Sequence, residues 1–242
     1  HVSSQAHYGF FRGYAQINLY GMDILNGYWK SAGLRMRDLL EQKKRGIFDN
    51  RISIFMDWKM GDAFVTFGNY EKALALLAPL EPLIREMDMK SYIAGHQSSL
   101  AAVHEGLGRI EERDQCCQEY LAFIHREKRL DGIISANLLD FIYFSPPQPE
   151  IARECLSIME SVAPPWANVM SELALAEARG VLLLRDGKPE EAVPFLRKAL
   201  EGWCSYTERF PVLETRALYS LGRAFAACGE RAQAREVWNQ AW

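Results

Sequence analysis

The sequence predicts an all-α protein, a solenoid of about six stacked helical hairpins. Three observations predict it. A glycine-marked turn returns at a near-constant interval, an alanine and two apolar positions keep fixed distances from that turn, and strand patterning is almost absent from the 242 residues.

The turns come first, because an internal repeat dictates the architecture. They read Gly27-Tyr28-Trp29-Lys30-Ser31-Ala32, Gly68-Asn69-Tyr70-Glu71-Lys72-Ala73, Gly187-Lys188-Pro189-Glu190-Glu191-Ala192 and Gly229-Glu230-Arg231-Ala232-Gln233-Ala234. Gly108 opens another, with Arg113 in place of the alanine, and at Pro147 the glycine is missing but Ala152 is kept. The six positions 27, 68, 108, 147, 187 and 229 lie 39 to 42 residues apart. Glycine fills five of the six although the chain holds only 17 glycines, so chance alignment is a poor explanation.

Other positions keep this register. Four residues after the alanine stand Met36, Leu77, Leu156, Leu196 and Trp238, with Cys117 in the third unit. Three residues later come Leu39, Leu80, Tyr120, Met159, Ala199 and Ala241. Seven residues before the turn a small residue recurs at Gly61, Ala101, Gly180 and Gly222, and four before it lie Phe64, His104, Tyr143, Leu183 and Phe225. Spacings of three and four gather side chains on one helix face. Glycine at a helix C-terminus supplies the left-handed cap, and small residues let two helices approach closely. Each unit therefore reads as helix, tight turn, helix, and each must lean on its neighbours to bury its apolar face.

The best strand candidate, Ile52-Ser53-Ile54-Phe55, sits where the first helix of a unit should begin and is assigned to helix. Ser145-Pro146-Pro147-Gln148-Pro149 cannot be helical throughout and reads as a rigid loop, and Pro164-Pro165 marks a unit boundary. The whole chain 1–242 reads as a single repeat domain with units at about 7–46, 47–87, 88–128, 129–164, 165–206 and 207–242.

The pattern resembles the tetratricopeptide repeat (TPR). Leu221-Gly222, Phe225, Gly229, Ala234, Trp238 and Ala241 carry the resemblance best. Gly61, Phe64, Gly68, Tyr70, Ala73 and Leu77, and then Gly180, Leu183, Gly187, Ala192, Leu196 and Ala199, follow it closely. It implies a right-handed α-solenoid of TPR-like hairpins. The units are about 40 residues rather than the 34 of the standard repeat. They lack its closing proline and its early tryptophan. In length they are similar to repeats in the sensor regions of MalT-like, LuxR-type signal-transduction ATPase regulators, and to those of peptide-sensing quorum regulators. About six extra residues per unit lengthen its helices by ~9 Å in total, which would deepen the groove.

Composition excludes several classes. With 28 basic and 31 acidic residues and a net charge of −3, the chain carries no electrostatic footprint for nucleic acid. Five cysteines, an odd number with no C-x-x-C pair, argue against a disulfide framework or a zinc site and for free thiols in a reducing, cytoplasmic setting. No apolar run is long enough to span a membrane. No Walker loop, G-x-G-x-x-G or G-x-S-x-G is present. His96 and His104 stand about 12 Å apart along one helix, too far for one metal ion. The expectation is a binding protein without cofactor or metal, not an enzyme.

In a TPR-like array, first helices line a concave face suited to a peptide, a helix or a small effector. The register puts Trp58, Asp62, Asn137, Phe141, Glu177, Arg185, Tyr219 and Arg223 on that face. The aromatic run His7-Tyr8-Gly9-Phe10-Phe11-Arg12-Gly13-Tyr14 reads as core of the first unit, with packing against a preceding module as the alternative. The last unit stops at Ala241-Trp242 without a polar capping helix. Either the chain continues in a larger protein, which is the reading favoured, or that end self-associates. These features point to a binding or sensor segment of a larger signalling or transcriptional regulator, recognising a protein, peptide or small effector. A constitutive interaction scaffold and an accessory segment of a multidomain enzyme are the alternatives.

Overall fold

The computed structural model describes residues 2–87, 90–127, 132–144, 149–161, 169–205 and 211–240. Among these residues there are thirteen helices and no strand. They are α1 (Val2–Leu25), α2 (Trp29–Lys44), α3 (Asn50–Thr66), α4 (Tyr70–Leu77), α5 (Leu80–Glu86), α6 (Lys90–Gly106) and α7 (Ile110–Glu127). Then follow α8 (Gly132–Phe144), α9 (Pro149–Glu160), α10 (Val169–Arg185), α11 (Pro189–Ser205), α12 (Pro211–Ala227) and α13 (Arg231–Gln240). The fold is all-α and TPR-like: α1/α2, α3/α4–α5, α6/α7, α8/α9, α10/α11 and α12/α13 are consecutive helical pairs.

The turns marked by glycine are built alike. Gly27, Gly68, Gly108, Gly187 and Gly229 all adopt φ between +69° and +82°, a region L side chains avoid. At Gly68 the glycine N–H donates to the Val65 carbonyl and the next N–H, of Asn69, reaches back to Phe64, both at 2.9 Å. The same two bonds recur at the other four glycines. They satisfy carbonyls that a helix end leaves open. The N–H five residues after the glycine then donates to the carbonyl of the residue just after it, which starts the second helix. The turn expected around Pro147 and the Pro164-Pro165 boundary lie outside the described residues, as do the side chains of His7–Phe11.

The small positions act as the register requires. A Cβ on Gly61 would sit 2.6 Å from Leu77, and one on Gly180 would sit 2.5 Å from the Leu196 side chain. On Gly222 it would collide with Trp238. Leu77, Leu196 and Trp238 are the bulky residues placed four after the alanines, so first-helix glycines admit second-helix side chains. The alanines Ala32, Ala73, Ala192 and Ala234 are themselves buried.

Ile52–Phe55 lies inside α3, whose first turn is capped by Asp49 accepting from the Ile52 N–H at 2.9 Å. One second helix departs from expectation. The unit read as continuous through Leu80 is broken into α4 and α5 at Ala78-Pro79. Pro79 has no N–H and its ring opposes the carbonyl four residues earlier, and Pro82 repeats the obstruction one turn on. The break exposes the Leu77 carbonyl, and the buried imidazole of His96 occupies it at 2.8 Å through Nε2.

The chain forms two compact units, residues 1–116 and 117–242, dividing within α7. In the first, α1 packs on α2 and α3, α3 on α4, and α6 on α3, α4 and α5. In the second, α8 packs on α9 and α10, α10 on α11, and α11 and α13 on α12.

The His96 contact sets a pH dependence. Burial holds its imidazole below the ordinary histidine range, outweighing the Leu77 carbonyl and the Glu81 and Asp62 carboxylates that pull the other way; Arg85 adds to the lowering. Between the lowered folded value and the unfolded value near 6.5, only the unfolded chain takes the proton. The stabilisation is therefore complete above about pH 6.5 and is lost as pH falls through the folded value. Urea midpoints between pH 7.5 and 5.0 should fall, and His96→Gln should flatten that fall. An equal slope in the variant would refute the assignment.

Candidate recognition surface on the first helices

In both units the polar and aromatic groups that meet across repeats lie mainly on first helices. In residues 1–116 these are α1, α3 and α6. Tyr14 of α1 stacks on Phe55 of α3 at 5.0 Å and 19°. Trp58 meets Phe55 edge-on at 5.9 Å, and Tyr92 of α6 lies 5.4–5.5 Å from both. The indole N–H of Trp58 donates to Ser99 at 2.9 Å, and the Ser99 hydroxyl donates to Asp62 at 2.5 Å. Lys59 pairs with Asp62 at 2.9 Å while its ammonium lies 4.6 Å from the Trp58 ring centre. Burial, with help from Asp62, pushes the Tyr20 phenol up to about 12. Burial, with Tyr14 adding, does the same for Tyr92.

Trp58 and Asp62 are thus linked through Ser99, and Trp58 is only 8% exposed. Its indole is held by the stack and by Ser99, so little of it faces solvent.

In residues 117–242 the corresponding helices are α8, α10 and α12. Their centre is Glu177 of α10, which is fully buried. It accepts from the Tyr143 hydroxyl of α8 at 2.7 Å, from Arg216 Nε of α12 at 2.8 Å and from Trp203 Nε1 of α11 at 3.0 Å. Arg216 also donates to Asp140 of α8 at 2.6 Å, and its guanidinium lies 4.9 Å from the Tyr143 ring centre. Ser220 of α12 lies 2.8 Å from the Tyr143 hydroxyl oxygen. One network therefore joins four helices of three successive hairpins. Burial opposes charge on Arg216, but Glu177 and Asp140 outweigh it and raise the guanidinium's hold on its proton. Burial and the Glu177 charge push the Tyr143 phenol well up, so it stays a donor.

This placement corrects part of the expected face. Glu177 and Phe141 are fully buried and present no surface to a partner. Phe141 packs edge-on against Tyr120 at 4.8 Å, and Glu177 is consumed by its donors. The reason is geometric: Phe141 faces α7, the second helix of the preceding hairpin, and Glu177 is covered sideways by the first helices of the adjacent repeats. Asn137 is half-buried on α8.

Arg185, Tyr219 and Arg223 remain accessible. Arg185 is half-buried and donates to the Tyr143 carbonyl at 3.0 Å. Tyr219 is 56% exposed, and the Arg223 guanidinium lies 5.9 Å from its ring centre.

The register did not single out Asp140, Arg216, Ser220 or Trp203. Its usable signal was a lone glutamate in the apolar run Leu173-Ala174-Leu175-Ala176-Glu177-Ala178, which demands a buried cation nearby. A second surface feature is a cavity of about 630 Å³ between α9, α10 and α11, lined by Leu156, Leu182, Leu183 and Phe195 among others. Among the described residues no helix is long and apolar enough to cross a membrane, and no three His, Cys, Asp or Glu side chains gather as for a metal ion.

The tetratricopeptide-repeat family profile matches residues 215–240. The chain is similar in structure to a single-residue variant of a putative kinesin light chain from Podosopora anserina, described as having nearly identical TPR-like repeats. The TM-score is 0.50 and the identity 17%, over 80% of this chain and 95% of that one. A second structure of that kinesin light chain gives a TM-score of 0.46 at 18% identity, over 76% of this chain and 91% of that one. No curated protein matches the sequence. The first likeness establishes the TPR-like fold.

Proposed function

We propose that this chain is a recognition segment of a larger cytoplasmic signalling or transcriptional regulator, and that it holds a peptide segment of a protein partner on the first-helix face of residues 117–242. The observation that carries this reading is the accessible group of Tyr219, Arg223 and Arg185 on α10 and α12, above a network that fixes those helices in register. An exposed aromatic ring flanked by guanidinium groups is the composition of an interface anchor. The helices beneath it are pre-ordered, so little conformational freedom is lost on binding. Trp58 and Asp62 play the supporting part in the first unit, stiffening α3 against α6.

Photo-crosslinking tests the face. A benzophenone side chain at Tyr219 in the full-length protein should give a discrete adduct with one partner, and the same group at exposed Arg197 on α11 should not. Equal labelling from both positions would remove the assignment. The regulator part of the reading is tested by the adjoining coding sequence. It is expected to encode a nucleotide-binding or DNA-binding module, and a frame with neither would leave a constitutive scaffold as the better description.

A further inference from the structure

We propose that Arg185 and Arg223 form a receptor for a phosphorylated side chain of the protein partner, clasping the phosphate between two guanidinium groups beside Tyr219. This rests on the first-helix face of residues 117–242 being the recognition surface.

Register brings the two arginines together. Glu177 of α10 and Arg216 of α12 are bonded at 2.8 Å, and α10 and α12 are first helices of consecutive hairpins, so they run in the same sense. Arg185 lies eight residues beyond Glu177 and Arg223 seven beyond Arg216. Those steps advance about 12 Å and about 10.5 Å along parallel helices, so the two arginines lie at about the same level. Seven residues fall about 20° short of two turns and eight overshoot them by about 80°, and across the gap between the helices the charge of Arg223 acts on Arg185.

Charge accounting then narrows the choice, because Arg197, Arg231 and Arg235 also pair with no carboxylate among the described residues but only Arg185 and Arg223 stand as like charges beside one another. Arg153, Arg179 and Arg216 in the same unit each pair with a carboxylate. Among the described residues neither Arg185 nor Arg223 does. Arg185 spends a donor on the Tyr143 carbonyl, and Arg223 lies by the Tyr219 ring. Burial weakens Arg185's hold on its proton and the like charge of Arg223 adds to that, with the Tyr143 phenol acting against both. Two neighbouring cations with no anion between them are an unfavourable arrangement that a ligand relieves.

The ligand's charge follows. A phosphate monoester carries about −1.5 to −2 at neutral pH and offers three acceptor oxygens, matching two guanidinium forks. A single carboxylate would neutralise only one of them. Nucleic acid fits poorly, since it needs a track of cations along its backbone, and the chain's net charge is −3.

The test uses fluorescence anisotropy on the full chain. Two labelled peptide libraries with randomised flanks are compared, one with a central phosphoserine and one with serine. The phosphoserine library should bind at least about tenfold more tightly, and Arg223→Gln should remove that difference. Arg223 is exposed, so this variant should fold, and an unchanged melting temperature checks it. Arg185→Lys, which keeps charge without the fork, should lose part of the preference. Equal binding of both libraries, unaltered by Arg223→Gln, would overturn the phosphate receptor and leave the peptide face standing. Binding of neither library would overturn both.

Discussion

Replacing Glu177 by alanine should destabilise the unit formed by residues 117–242 by about 3–5 kcal/mol, the cost typical of removing one partner of a buried ion pair. The substitution strands more than Arg216. The Tyr143 hydroxyl loses the acceptor it donates to and the Trp203 indole N–H loses its own. Arg216 keeps only Asp140, whose side chain is 37% exposed. Urea denaturation followed by tryptophan emission should register the loss, because Trp203 is itself a bonded member of the network. Adding Arg216→Met should recover part of it by removing a charge left with only the partly exposed Asp140. A drop below about 1 kcal/mol for Glu177→Ala, no more than an ordinary solvated hydrogen bond, would show that the network does not hold the three hairpins in register.

The second large effect concerns the alanine that follows each turn. Ala192→Arg should cost at least about 3 kcal/mol, through overpacking and an uncompensated buried cation. Ala192 has no exposed surface and belongs to α11, which packs on α10. The third unit shows why the cost is not inherent in arginine. Arg113 occupies the same register with only 1% of its side chain exposed. It pairs with Glu105 at 2.7 Å and with Asp114 at 2.6 Å. Burial works against its charge, and those two acids overcome it, so the guanidinium's proton is held more tightly than usual. At the matching places of the fifth unit stand Leu184 and Val193. The triple variant Leu184→Glu, Ala192→Arg, Val193→Asp should therefore melt well above Ala192→Arg alone. A melt of Ala192→Arg equal to wild type would remove the repeat register altogether.

The fold was legible because its determinants are local and repeated. A glycine able to take positive φ, an alanine five residues on and a bulky residue four later are all contained in one short window, and the structure uses each of them for one purpose. Pro79 was visible in the same window, but its consequence depended on His96 reaching the freed Leu77 carbonyl from another helix. The surface was less legible for the same reason. Whether Glu177 faces solvent or Arg216 depends on the stacking of α10 against α12, residues 39 apart in sequence. Trp58 was placed on the correct helix, yet the rings of Phe55 and Tyr92 enclose it. Helical periodicity states which side of a helix a residue occupies. It does not state how near the next repeat comes.

The ion-paired arginine of the third unit also couples three positions. Arg113 with neither acid in place would be a guanidinium sealed from water, at a cost of about 3–5 kcal/mol. An arginine at this place of the repeat is therefore sustained by its two carboxylates, and exchanging Glu105 and Asp114 for neutral residues should turn Arg113 from a tied-down charge into the destabilising member of the set.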